Sequence, residues 1–389
     1  MKKIFYIAIT LLLFTNSNIV AQDDLNALTT ATPFLLIAPD ARSGALGDMG
    51  VATAPDPYSQ HYNAAKYAFS ESQYTVAVNY TPWLRNLTND VFLGNVVFSN
   101  KLNENSAWSA SFTYFSLGKI ETNAGVDSNG LLIATGVINP NDLALDGSYS
   151  LKLSEDISMG VTLRYLRSDM SLKQLENGGD LNTINTFAAD LGAYYQSPEA
   201  NYGSFNGRWR GGISIANIGP KVQLSVGGEK SFIPTNMRLG AGFDFILDDT
   251  SVIKASLEST KLLIPTPPIT DENTGAIISG KDNDVDAFSG MFQSFGDAPG
   301  GFSEEMKEFT WSVGAEYLYD DTFAFRLGYF NESELKGARK FFTLGAGFKF
   351  KSSNIDVSYL LNSSDVNNPL ENTLRFSISF NFGDFYEAF

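Results

Sequence analysis

The 389-residue chain has no cysteine and a single histidine. Without thiols there can be no disulfide, thiolate nucleophile, cysteine-ligated zinc or lipidated N-terminal cysteine. Beyond the first two dozen residues no stretch approaches the roughly 20 consecutive apolar residues of a membrane helix. If this chain enters a bilayer, it must do so as a closed barrel. Positive charge is also scarce: 27 Lys and Arg stand against 43 Asp and Glu, a formal charge of −16. That balance leaves no basic face for the phosphates of nucleic acid.

What is present begins with an export signal. Met1 to Gln22 carries Lys2 and Lys3, then an apolar run through Phe14, then a polar stretch ending Val20-Ala21-Gln22. The pattern predicts a secretory leader, residues 1–21, cut after Ala21. The stretch from Phe309 to Phe382 is the plainest structural signal. Trp311, Val313, Ala315 and Tyr317, then Phe323, Phe325 and Leu327, then Phe342, Leu344, Ala346 and Phe348 alternate with Gly, Ser, Thr and charged residues. Period two means strands with one greasy and one polar face. The polar face is small-residued and holds Glu316, Arg326, Asp356 and Arg375. A narrow lumen with charges paired across it fits that mixture, and lipid fits the aromatic face.

The same reading predicts fourteen strands near 73–82, 90–101, 106–120, 143–153, 157–170, 186–197, 207–217, 236–247, 251–262, 309–319, 322–333, 340–351, 353–362 and 372–382. Their connections alternate. Tight links such as Asn103-Glu104-Asn105, Asp320-Asp321 and Ser352 alternate with long ones such as 121–142, 171–185 and 263–308. Turns in the periplasm and loops outside are the habit of outer-membrane barrels. Residues 218–235 could add a small hairpin outside the membrane. The 263–308 loop is acidic at Asp282, Asp284 and Asp286, then rich in Phe and Gly. Its Phe288, Met291, Phe292, Phe295 and Phe302 are the candidate partner-binding residues. The acidic triplet lacks the glycine and distal glutamate of a calcium loop, so no metal is expected.

Residues 22–72 show no sustained alternation and are predicted to fill the lumen as a plug, with Asp40, Arg42, Gly44, Gly47, Asp48 and Asn63 as its characteristic residues. The barrel follows as 73–389. Interior positions collect charges of both signs, among them Arg164, Asp190, Arg238, Asp244, Glu316, Arg326 and Arg375. Mixed signs favour cross-lumen pairing over an open ion-selective pore. His61 lies near Ser59 and Asp56, but neighbours so close in sequence are not expected to form a hydrolase triad, and no nucleophile-elbow glycines surround a serine. The residues call for neither an enzyme nor a cofactor.

Three stretches carry a family likeness: Ala38-Pro-Asp-Ala-Arg-Ser-Gly-Ala-Leu-Gly-Asp-Met-Gly-Val-Ala52, Tyr58-Ser-Gln-His-Tyr-Asn-Ala-Ala-Lys-Tyr67 and Val78-Asn-Tyr-Thr-Pro-Trp-Leu84. With the long acidic, Phe-rich loop they make the chain resemble the PorV (LptO) family of the type IX secretion system, a branch of the FadL-like outer-membrane barrels of Bacteroidota. Where FadL-type plugs carry Asn-Pro-Ala, this chain has Asn63-Ala64-Ala65. The resemblance implies a plugged fourteen-stranded barrel in the outer membrane, in contact with lipid and lipopolysaccharide. It further implies a carrier that receives cargo, by its C-terminal signal domain, from a SprA/Sov-type translocon and presents it to a PorU-type sortase. Two other functions remain open: a FadL-like importer of hydrophobic molecules, which needs an apolar lumenal pocket, and a lipopolysaccharide O-deacylase, which needs a nucleophile beside a base.

Overall fold

The computed structural model describes residues 26–84, 88, 90–126, 132–170, 183–271, 273–364 and 371–385. The expected leader and most of the 171–185 and 363–371 loops lie outside these residues. Fourteen long strands build the wall. They are β1 (Ser72–Pro82), β2 (Val91–Lys101), β3 (Ser106–Leu117), β4 (Asn141–Lys152), β5 (Ile157–Asp169), β6 (Thr183–Gln196) and β7 (Asn206–Ile218). The second half comprises β8 (Asn236–Ile246), β9 (Ser251–Leu262), β10 (Phe309–Tyr319), β11 (Phe323–Asn331), β12 (Lys340–Phe350), β13 (Ser353–Asn362) and β14 (Leu374–Phe385). Each pairs antiparallel with the next, and β14 returns to β1 with Val76 opposite Phe380, so the sheet closes. Closure satisfies every strand edge, the condition for standing in hydrocarbon.

The face question is decided by burial. Outward Leu163 and Phe187 are 68% and 71% exposed, while Arg164 and Asp190 on the inward face are 4% and 8% exposed. Such an arrangement is inverted relative to a water-soluble core, and its solvent is lipid. Outward rings pack as cross-strand neighbours, for example Trp311 with Tyr329 and Tyr329 with Phe342. These pairs follow from register: Val313 faces Tyr329, and Tyr329 faces Phe342.

Boundaries differ from the sequence expectation in three places. The third strand stops at Leu117, because Gly118 takes φ +80°. Beyond it the chain makes a separate hairpin, Ile120–Val126 with Leu132–Ile138, where an irregular loop was expected. The last strand runs on to Phe385 through a bulge at Gly383 (φ +86°), opposite a register shift between Ser72 and Tyr74. A glycine at positive φ is the usual means of admitting the extra residue. The 218–235 connection does contain a small hairpin, Val222–Gln223 with Lys230–Ser231, and Val222 is buried beneath it.

The wall is thin where the N-terminal segment meets it. A Cβ at Gly212 on β7 would lie 2.1 Å from the Val51 carbonyl oxygen, and one at Gly328 on β11 would lie 2.2 Å from the Gly47 nitrogen. Gly160 meets the Ala65 backbone in the same way, while Gly240 and Gly345 leave room for the side chains of Val51 and Ala45. Only a missing side chain permits backbone to approach a sheet so closely. Gly212→Val is expected to displace the segment and to lower stability by about 1–3 kcal/mol or more, as overpacking does. Limited proteolysis of the segment and thermal melting in detergent would read this out; unchanged protection would contradict the packing.

Candidate functional site in the lumen and on the outer rim

Three layers occupy the interior. At mid-height the N-terminal segment is tied to the wall by ion pairs that run in a chain. Lys66 Nζ reaches Asp56 at 3.2 Å, and Arg42 reaches Asp56 at 2.6 Å and Glu316 at 3.0 Å. Glu316 also accepts from Arg326 at 2.5 Å, and Arg326 donates on to Asp356 at 2.6 Å. The chain thus joins the segment to β10, β11 and β13. Each ion is buried, so removing one partner would strand the other, a loss of about 3–5 kcal/mol.

Local geometry explains why these residues lie where they do. Asp40 caps the one-turn helix α1 (Ala41–Ala45), its Oδ1 accepting from Ser43 N at 2.7 Å, which turns Arg42 toward Glu316. Gly47 takes φ +77° and approaches the Tyr329 carbonyl, and Asp48, also at positive φ, accepts from Arg375 at 2.6 Å. Gly44 leaves room for the Arg375 guanidinium: a Cβ there would fall 2.3 Å from its Nη1. Asn63 Nδ2 donates to the Val51 and Ala193 carbonyls, while its Oδ1 accepts from Ala65 N. With that cap in place, the absent proline of the Asn-Ala-Ala turn is not needed to start the 3-10 helix Ala64–Phe69.

A second group of wall charges lies across the lumen. Arg164 binds Asp146 at 2.8 Å and Asp190 at 3.1 Å, and also donates to Asn217. Asp244 is held by Arg210 at 2.5 Å. Arg238 donates to the His61 carbonyl at 2.9 Å and lies 4.0 Å from Glu258, which accepts from Gly50 N and Val51 N. The His61 Nε2 is buried without a hydrogen-bond partner among the described residues, and burial, then Arg238, holds its pKa well below the usual value. Ser59 hydrogen-bonds Asp56, not His61.

Above this polar layer the lumen is apolar, which corrects the expectation of a mainly charged and small-residued interior. Val91, Leu93, Phe115, Leu166 and Ile184 line a chamber from the wall, and Phe34 and Leu35 fill it. Phe34 stacks on Phe115 with centroids 6.2 Å apart. Alternation does not reveal the chamber, because these inward apolar residues belong to strands that are apolar on both faces near their outer ends.

The third layer is the cap formed by the 263–308 loop. Glu308 is the joint: it accepts from Lys261 at 2.5 Å, Lys336 at 3.0 Å and Thr266 at 2.6 Å. Glu305 receives Lys261 at 3.2 Å and the backbone N–H groups of Asp297 and Ala298. Lys336, between β11 and β12, also reaches Glu304 at 2.5 Å. Asp286 caps the helix α2 (Ala287–Gln293), and Asp284 pairs with Lys221, so the acidic run is spent on structure. On this frame Phe288, Phe292, Phe295 and Phe302 are 65%, 76%, 49% and 77% exposed. Phe288 and Phe292 are i,i+4 on one face of α2. Met291 differs from the expectation: on the same short helix it is buried.

Residues 20–269, more than half of the chain, match the family model of the type IX secretion system protein PorV. The chain belongs to the PorV family. It is therefore a type IX secretion system barrel of the outer membrane. Comparison with curated proteins finds no match. Among solved structures it is similar to the Ralstonia pickettii toluene transporter TbuX, at 12% identity and TM-score 0.47, over 92% of this chain and 99% of that one. The P. putida toluene transporter TodX is similar at 10% identity and TM-score 0.48, over 92% and 99%. A Pseudomonas aeruginosa FadL homologue is similar at 12% identity and TM-score 0.42, over 92% and 100%.

Sequence reasoning about this PorV-family chain did not find Asp56 and Lys66, nor the Lys261–Glu308–Lys336 joint. No short-range pattern marks them, since the partners lie 10, 47 and 28 residues apart. Two outcomes test the layers. Burial, and then the Asp56 charge, raises the Asp40 carboxyl to about 7. A group whose pKa is raised by folding contributes stability below its unfolded pKa that is lost as pH rises through the folded one. Asp40→Asn is thus expected to flatten the fall in melting temperature between pH 4.5 and 7.5, while keeping the cap acceptor. Lys336→Met should loosen the cap by about 3–5 kcal/mol, seen as faster proteolysis within 263–308 and an unchanged barrel.

Proposed function

We propose that this PorV-family barrel is a passive carrier on the type IX route. It would receive folded cargo by its C-terminal signal domain from a SprA/Sov-type translocon and pass it to a PorU-type sortase. In this reading residues 1–21 are a removed leader, 22–72 a static plug and 73–389 the barrel. The single observation that carries it is the pairing of a filled lumen with a braced, apolar outer cap. A lumen crossed by buried ion pairs and packed with Phe34 and Leu35 offers no route for a protein. The surface available for work is the rim, where four exposed phenylalanines stand on a frame anchored by Glu308. Exposed apolar patches of this kind mark contact sites. The lipid-facing wall supplies the remaining contacts, with outer-membrane lipid and lipopolysaccharide.

A deacylase reading has little support, because among the described residues the lone histidine's Nε2 bonds no serine hydroxyl, and Ser59 is taken by Asp56. The apolar chamber gives a specific reason to weigh an importer of hydrophobic molecules. Against it, the chamber is full, and the wall pairs strand to strand around the whole circuit.

Replacing Phe288, Phe292 and Phe302 together by Ser in the native gene tests the carrier reading. Cargo should accumulate in the periplasm with its signal domain uncleaved, while the barrel keeps its heat-modifiable mobility and lipid A stays unchanged. Normal surface cargo in that strain would remove the cap from the mechanism, and altered uptake of a labelled hydrophobic compound would favour import.

A further inference from the structure

At its outer end β6 outruns its neighbour. It pairs with β5 from Thr183 opposite Asp169 to Tyr195 opposite Ile157. With β7 it pairs only between Gln196 and Ala189, so the closed circuit lies below Ala189 on this side. Thr183–Ala188 therefore stand against β5 on one flank and against no strand on the other.

The departure of β7 is built into the wall. Its register shifts between Ile215 and Ile218, and Asn217 takes φ +61°. Polar bonds hold Asn217 there: its N–H donates to Asp190 Oδ1 at 2.7 Å, its Oδ1 accepts from Arg164, and its Nδ2 donates to the Pro234 carbonyl at 3.1 Å. A bulge locked in this way re-aims the chain that follows. That chain packs Val222 and Ile233 into the apolar chamber, and none of its backbone groups bonds Thr183–Ala188.

Alternation says which groups are left open. The Gln196 N–H donates to Asp156 on the β5 side, and the Ser197 N–H donates to Trp209 on β7. In an unbroken register the odd-numbered residues of β6 thus direct both backbone groups toward β7. For Thr183, Asn185 and Phe187 no strand is there to meet them, and among the described residues these groups have no partner across the edge. Phe187 shows the gap: its ring touches Tyr165 on β5 and is still 71% exposed, the most of any aromatic on the described wall.

We infer that this edge takes an extended strand of a cargo polypeptide by main-chain pairing. Backbone donors and acceptors at strand spacing are complemented by another strand, and sheet edges are recognised in this way. The edge opens beside the cap: Phe232, in the connection after β7, packs against Gly290 of α2, where a Cβ would lie 2.8 Å from its ring. Exposed Phe288 and Phe292 stand on that same helix. A second copy is the poorer occupant, since it would bring together two chains of formal charge −16, which repel. The inference rests on the carrier reading, from which it takes the cargo's C-terminal signal domain as the source of the strand.

The test uses the purified full barrel in non-ionic detergent and, as probe, a fluorescent protein ending in the C-terminal signal domain of a type IX cargo. Binding is followed by anisotropy, and hydrogen exchange by mass spectrometry of fragments spanning Thr183–Ala188. The bound probe should slow exchange there. Asn185→Pro removes one open-edge N–H and leaves the β5 ladder in place, while Asn185→Ala removes the same side chain and keeps the N–H. The proline is expected to weaken binding about tenfold or more beyond the alanine, the loss of a main-chain hydrogen bond. Equal affinities in the two variants, or unchanged exchange at the edge with probe bound, would overturn the pairing and leave the carrier reading standing. A barrel that does not bind the probe at all would overturn both. Exchange slowed by raising the barrel concentration without probe would assign the edge to a second copy and refute this occupant. Should Asn185→Pro lose its heat-modifiable mobility, the exchange measurement on the unaltered barrel decides.

Discussion

Close approach between one irregular segment and a regular wall is the constraint from which the other features follow. A fourteen-stranded barrel encloses more space than its own inward side chains fill. Here residues from Phe34 to Phe69 occupy it, which is possible only because the wall presents glycine where their backbone passes, as Gly212 does to Val51 and Gly328 to Gly47. With backbone against backbone, no water layer separates segment and wall. Charged side chains in the lumen must then find partners in each other, and the ion-pair chain from Lys66 to Asp356 is how they do so.

That chain has consequences for motion. Buried pairs of this kind are weak evidence for net stability, since hydrophobic replacements often serve as well. Breaking one is a different matter, because the remaining charge is left buried without its partner. The segment is held to the wall by Arg42, Asp48 and Asn63 at once. Withdrawing it would open several such pairs together, so the lumen behaves as a filled support. The apolar chamber above, occupied by Phe34 and Leu35, adds a hydrophobic seal of about 1.5–3 kcal/mol per fully buried large side chain.

A filled support assigns activity to its two ends. The outer end carries a loop braced by its carboxylates, Glu308 with two lysines and Glu305 with backbone and Lys261. A brace of that sort lets phenylalanines remain in water without collapsing onto the barrel mouth. The inner end closes on a cavity lined by cations and carboxylates in equal number.

Much of this was legible before any coordinates. Period-two alternation and the sorting of short and long links determine the strand number and which face meets lipid, because side chains on a strand have no choice but to alternate. They also place Arg164, Asp190, Glu316 and Arg326 inside. What alternation cannot determine is who meets whom. Arg42 and Glu316 are 274 residues apart, and only the tertiary structure shows that Asp244, opposite Arg208, pairs with Arg210. Met291 was exposed by composition and is buried by the turn of a short helix. The architecture was therefore set by local periodicity, a property of single strands. The filled chamber and the braced cap were decided by tertiary pairing, which depends on closure of the whole sheet around its plug.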